Sequence, residues 1–201
     1  MCPGGFIVPA ATAKQEIVVN GMSPSKRNSL YANSGIVVEI NVQQDLSKYE
    51  RFGALKGLEY QKNLEKLAFT SGGRTQSAPA QRMTDFVEGK LSSNLNDCSY
   101  QPGLKSAPLH SLLPKIIGSR LRTGFKEFGK KMKGYYTEQA NVIGVESRTS
   151  SPVSIPRKVT FEHPQIKGLY PCGEGGGYAG GIISAAMDGE RCAEAAINNN
   201  I

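Results

Sequence analysis

The amino-acid pattern predicts a mixed chain in the α/β to α+β range. Three observations carry this: short β-branched runs gather at residues 1–42 and 139–201, a helical periodicity dominates 43–138, and residues 168–197 read as strand, glycine turn and helix. The bracketing predicts a β-rich domain built from 1–42 and 139–201, with a mainly helical insertion at 43–138 and the two ends meeting in space.

Each element follows from local chemistry. Phe6 to Val8, Ile17 to Val19 and Gly35 to Val42 are apolar or alternating runs of strand type. Asn20-Gly21 opens a polar stretch to Ser29 that reads as a turn and loop. From Gly53 to Phe69 the spacing of Leu55, Leu58, Leu64 and Leu67 predicts a helix, which Ser71-Gly72-Gly73-Arg74 breaks. Pro79 to Gly89 reads as a short helix starting at Thr84 or Asp85, and Leu91 to Ser106 as loop. A helix then starts near Pro114, whose missing N–H suits a first turn, and Gly134 is placed to end it. Asn141 to Glu146 predicts a strand, Arg148 to Pro156 a polar loop, and Ile155 to Phe161 a strand with an edge or bend.

Composition narrows the function classes. A chain of 201 residues that is 39% hydrophobic can bury a core, and its apolar runs are too short for a signal peptide or a membrane span. Cys2, Cys98, Cys172 and Cys192 are scattered without metal or dithiol spacing, and only His110 and His163 could assist as ligands. This predicts no metal site, reduced cysteines and a cytoplasmic location. The formal charge of +7 is concentrated in Lys115, Arg120, Arg122, Lys126, Lys130, Lys131 and Lys133, against Glu127 alone. Ile116, Ile117, Leu121, Phe125, Phe128 and Met132 interleave them at helical spacing, which makes an amphipathic helix with a basic outer face. No RNA-binding signature accompanies it, so nucleic acid is disfavoured as a partner; the alternative reading keeps a non-catalytic module that offers this helix to an acidic partner such as RNA.

The glycine turn carries the sharpest signal. Gly173, Gly175, Gly176, Gly177, Gly180 and Gly181 crowd nine positions ahead of a helix rich in Ala, with Glu174 inside the turn. Such a turn suits close approach of an electron-rich ligand group to a helix N-terminus, or a close strand-to-helix crossing. It is neither a Walker loop, since no Lys-Ser or Lys-Thr follows, nor a dinucleotide fingerprint in position, since no βαβ unit follows.

The run Leu169-Tyr170-Pro171-Cys172-Gly173-Glu174-Gly175 with Tyr178-Ala179-Gly180-Gly181-Ile182 resembles the C-terminal flavin motif of FAD oxidoreductases of the two-dinucleotide type. Cys2 to Thr12, Asn20 to Ser23, Gly57 to Gln61, Ala78 to Arg82 and Arg148 to Pro152 resemble a narrower group of bacterial FAD-dependent, or NAD-utilising, dehydrogenases. The resemblance implies hydride transfer through flavin, with NAD(P)H as an allowed partner. It places Glu174 at the ribityl hydroxyls and the backbone of Gly173, Gly175, Gly180, Gly181 and Ile182 around the flavin. Asn20, Met22, Ser23, Asn33, Ser34, Arg148, Ser150 and Ser151 are candidates for flavin or substrate contacts, and no catalytic residue is assigned. The family's N-terminal Gly-x-Gly-x-x-Gly unit, which grips the ADP half, does not occur, so this chain reads as the C-terminal portion of a longer enzyme whose ADP-binding portion is its partner. The isolated chain is therefore expected to be inactive and to purify colourless; a visible flavin absorption band in the preparation would overturn this.

Overall fold

The computed structural model describes residues 2–199 and is a mixed α/β fold. Its residues gather into two compact units, 1–40 with 62–147 and 41–61 with 148–201. These boundaries differ from those of an insertion at 43–138. The reason is that the strand at 141–143 pairs with the strand at 78–82, which places it with the middle of the chain.

The first unit opens with β1 (Cys2–Pro3), β2 (Phe6–Pro9), β3 (Val19–Met22) and β4 (Ala32–Asn33), which form two antiparallel ladders, β1 with β4 and β2 with β3. Asn20 and Gly21 lie inside β3, opposite Val8 and Ile7, and not in a turn. Gly21 is needed there because a Cβ would sit 2.6 Å from the Asn33 amide oxygen, while the Asn33 amide donates to the carbonyls of Phe6 and Met22. Ile17 and Val18, predicted as strand, are buried without joining the ladder, which takes up only Val19 of that run. Residues 35–41 form no strand either. Their alternation is real, since Ile36 and Val38 pack on the core, but no neighbouring strand pairs with them, and Arg120 takes the Glu39 carbonyl instead.

A three-stranded sheet orders β6 (Leu104–Ser106), β5 (Ala78–Arg82) and β7 (Asn141–Ile143), with β5 parallel to β6 and antiparallel to β7. Pro79 concealed β5 from sequence reasoning, because proline is rare in central strands. Here its carbonyl still accepts from Gly144, and the flanking ladder bonds come from Ala78 to Gly103 and from Ala107 to Ala80. The short helix α3 (Met83–Glu88) follows directly, one residue earlier than Thr84, and ends on Gly89 in the left-handed region.

Two apolar clusters build this unit's core. Ile17, Val19, Ala68, Ala78, Tyr100 and Val145 form one, while Met83, Phe86, Val87, Leu109, Leu121 and Phe125 form the other. The second receives α4 (Leu109–Leu112) and the predicted amphipathic helix, α5 (Lys115–Lys131), whose N-cap is Pro114. Gln81 is fully buried: its amide donates to the Lys90 carbonyl, and its oxygen accepts from the His110 backbone N–H at 2.9 Å and ring Nδ1 at 3.1 Å. Burial first, and Arg122 second, hold the His110 ring below its usual pKa, so it is a neutral structural donor.

In the second unit Asn41 caps α1 (Val42–Asp45) by accepting from Gln43 and Gln44, and a 3-10 stretch, Ser47–Leu55, turns sharply at Gly53. Helix α2 (Lys56–Ser71) begins in this unit and ends in the first. Its inward positions include Lys56, Gly57, Glu65 and Ala68, whereas Leu55 and Leu67 are exposed, so the predicted leucine face is rotated. Buried Lys56 donates to Gln43 and Glu50, and Pro152 packs against Gly57, where a Cβ would meet it at 3.1 Å. Residues 155–161 and 168–172 form no strand, and the chain closes with α6 (Ile182–Asn199). No helix among the described residues is long and apolar enough to cross a membrane.

Phe86 is 0% exposed and meets the Phe125 ring edge-on at 5.8 Å, so Phe86→Ala is expected to cost about 3–5 kcal/mol in urea unfolding followed by circular dichroism. Leu30→Ala, at a side chain 95% exposed, is expected to change stability by less than about 0.5 kcal/mol.

Candidate functional site

The glycine turn lies wholly within the second unit, and an arginine that sequence reasoning passed over holds it. Arg157 makes a two-pronged ion pair with Asp188 of α6, Nη2 to Oδ1 at 2.7 Å and Nη1 to Oδ2 at 2.9 Å. Its Nη1 also donates to the Pro171 carbonyl at 3.0 Å. The guanidinium lies over the Tyr178 ring at 3.6 Å and the Phe161 ring at 4.7 Å. Asp188 Oδ2 takes a further bond from the Gly173 N–H at 2.9 Å. The hydrogen bonds from Arg157 come first in holding the Asp188 carboxyl below the usual carboxylate range, with the Gly173 N–H and the guanidinium charge adding to them against burial.

The loop before Arg157 forms the turn's other support. Ile155 N–H donates to Gly176 O at 3.0 Å, and the Tyr178 hydroxyl returns to Ile155 O at 2.7 Å. Gly177 has φ +84°, and a Cβ there would stand 2.6 Å from Val153 O. At Gly176 a Cβ would stand 2.9 Å from Cys172 O. These glycines, and Gly173 with φ +66°, are required by the chain's own backbone.

Gly175 and Gly180 differ. Neither has a positive φ, and a Cβ on either would meet nothing within 4 Å. Gly181 is nearly as open, with only the Ser184 hydroxyl at 3.5 Å from a Cβ. That hydroxyl accepts the Gly181 N–H at 3.1 Å, closing the start of α6 as the third residue of a capping box does. The N–H groups that follow at the helix start have no intrahelical acceptors. Glu174 and Ile182 are exposed, the latter at 90%. The turn thus has a tied edge at 173, 176 and 177, and an open edge at 174, 175 and 180–182.

The remaining candidates fall in two places. Asn20 and Met22 lie on β3, and Asn33 on β4 is brought against them through its amide bond to Met22 O; Ser23 and Ser34 flank these strands and are exposed. Arg148, Ser150 and Ser151 belong to the second unit. The Ser151 hydroxyl donates to Val153 O at 2.7 Å and accepts from Val153 N–H, so it forms the turn that backs Gly177. The basic face of α5 is partly spent on the fold, since Arg122 donates to Val87 O, Arg120 to Glu39 O and Lys130 pairs with Glu127. Arg157 and Asp188 had no sequence signal of their own; they lie 31 residues apart in unrelated local patterns.

The second unit thus sets a glycine turn with an open edge at the N-terminus of a long helix. The chain belongs to the family described as FAD-dependent protein, C-terminal domain-like, whose model matches residues 1–149. It is also 41% identical over 196 residues to an uncharacterized protein of Clostridium beijerinckii, covering 96% of this chain and 36% of that protein. The chain therefore spans little more than a third of that relative's length.

The ion pair yields a test. Asp188 has a folded pKa below its unfolded value, so its contribution is full above about pH 4, the ordinary aspartate value, and is lost as pH falls through the depressed one. Asp188→Ala is expected to cost the second unit about 3 kcal/mol near neutrality, the low end for a broken buried pair because its side chains keep 13% and 9% exposure. Hydrogen exchange across 168–191 should quicken in the variant at pH 6, and the difference from the parent should shrink below about pH 4.

Proposed function

We propose that this chain supplies the flavin-facing C-terminal part of an FAD-dependent oxidoreductase, a dehydrogenase in which NAD(P)H is the electron partner, and that the open edge of the glycine turn receives the ribityl and isoalloxazine part of FAD. In this reading a separate ADP-binding portion completes the cofactor site. The observation that carries the proposal is the pair of glycines, Gly175 and Gly180, whose missing side chains the chain's own packing does not require. Bare backbone at those positions serves a group that approaches from outside.

The residues fit that part of the cofactor. Glu174, exposed in the turn, is an acceptor suited to polyol hydroxyls. The N–H groups at 180–182 and the positive end of an 18-residue helix suit an edge that gathers negative charge on reduction. When bound, flavin would supply the two-electron chemistry; the protein's part is to orient it and to hold the tied edge still while the open edge makes contact. Membership of the FAD-dependent family supports the cofactor class.

The test separates ligand contact from folding. Gly175→Ala and Gly180→Ala should leave the fold unharmed, or stabilise it by about 0.4–1 kcal/mol through a less flexible unfolded chain. In a protein of the relative's full length carrying this chain, the same substitutions should weaken FAD retention about tenfold or more, read by flavin fluorescence on dilution, and Glu174→Ala should do likewise. NADH or NADPH should bleach the bound flavin's visible absorption. Unchanged FAD affinity in all three variants would overturn the placement of the flavin, and a full-length protein that takes up no FAD would overturn the function.

A further inference from the structure

The second unit brings together two cysteines that are 20 residues apart in sequence. Cys192 is buried on α6, one turn beyond Asp188 on the same face, and Cys172 is exposed at the head of the glycine turn. Two contacts fix their approach. Asp188 accepts the N–H of Gly173 at 2.9 Å, and Cys192 Sγ reaches the Pro171 carbonyl at 3.8 Å, so the residues on both sides of Cys172 are tied to the helix face that carries Cys192. The Cys172 thiol is close enough to add to the upward push on the Cys192 pKa. Arg157 Nη1 stands 3.3 Å from Cys192 Sγ.

We propose that Cys172 and Cys192 form a reversible redox dithiol, in which Cys172 meets hydrogen peroxide and Cys192 resolves the product to a disulfide. The exposed Cys172 sulfur attacks the peroxide; an S–O bond forms, the O–O bond breaks, and the departing hydroxide leaves as water with the proton released from Cys172. Cys192 sulfur then attacks the sulfenic sulfur; the S–S bond forms, the S–O bond breaks, and that oxygen leaves as a second water with the Cys192 proton. Two thiols are oxidised and one peroxide is reduced to two waters. Burial pushes the Cys192 thiol up in pKa while the Arg157 guanidinium pulls it down, so at rest this sulfur is protonated and the cation stands ready for charge that develops on attack. The disulfide would close a loop over 172–192 that contains the whole glycine turn. The inference does not rest on the flavin reading.

The experiment is mild peroxide treatment of the intact protein, blocking of remaining thiols with a maleimide, and tryptic mapping without reductant. Trypsin cleaves after Lys167 and Arg191, which puts Cys172 and Cys192 in separate peptides, 168–191 and 192–201. The expected result is a cross-link of these two peptides, lighter than their sum by two hydrogens and released by dithiothreitol. With Cys192→Ser, a dimedone probe should trap Cys172 as sulfenic acid several-fold more than in the parent. With Cys172→Ser, Cys192 should stay unoxidised, which keeps the proposal testable if the first variant folds poorly. Oxidation of Cys172 without the cross-link in the parent, pairing of Cys172 with Cys2 or Cys98 instead, or a Cys172 that peroxide leaves untouched would each overturn it.

Discussion

The guanidinium of Arg157 is the contact on which the second unit depends. Among the described residues this unit buries few apolar side chains, chiefly Leu46 and Cys192, while Ile182, Ile183, Met187 and Ile197 of its long helix are exposed. Apolar burial at about 25 cal/mol per Å² therefore contributes little here. Direction comes instead from polar geometry. One planar cation joins Asp188, the Pro171 carbonyl and two aromatic rings, and its partner Asp188 joins Gly173. A lysine in its place would lose both the fork and the stacking, since an ammonium is a point charge.

The first unit rests on the opposite balance. Two apolar clusters enclose β5 and α3, and one of the buried polar groups of this unit, Gln81, is satisfied at both ends of its amide. A satisfied amide adds specificity at small net energy, whereas the same amide left unpaired would cost about 1–3 kcal/mol. The neutral His110 fits that logic. Its ring donates to Gln81 and is kept from gaining a proton by burial and by Arg122, so it serves packing and not acid–base work.

What was legible in the sequence was whatever depended on local periodicity. Helix α5 was readable from Pro114 to Gly134 because its apolar spacing and its ends are local, and the last helix was readable for the same reason. Strands were readable only where a partner exists. Residues 35–41 alternate as a strand does, yet pairing decides the state, and 155–161 fails likewise. Strand β5 went unseen because Pro79 argues against a central position, and only the register with β6 and β7 shows how a proline is accommodated. Asn20-Gly21 reads as a turn by composition, but Gly21 answers to Asn33 across space. The glycine turn was legible as a feature; its internal division was not, because the reasons for Gly176 and Gly177 are backbone atoms of 172, 153 and 154.

That division is what would let a loop so rich in glycine serve as the proposed site. A free glycine loop loses more conformational entropy on ordering than any other loop of its length, at about 1–2 kcal/mol per fixed residue, and a ligand that had to order all of it would bind weakly. Here Asp188 holds the N–H of 173, Ile155 holds the carbonyl of 176, and Tyr178 is held through its own N–H by Gly173 O and through its ring by Arg157. The ordering cost of that edge is met on folding, before any ligand arrives. In the proposed site only the open edge at 174, 175 and 180–182 would be left for a ligand to order, and its glycines are the ones the chain's packing does not require. Pre-organisation and access, which usually oppose each other in glycine loops, are thereby assigned to different residues of the same turn.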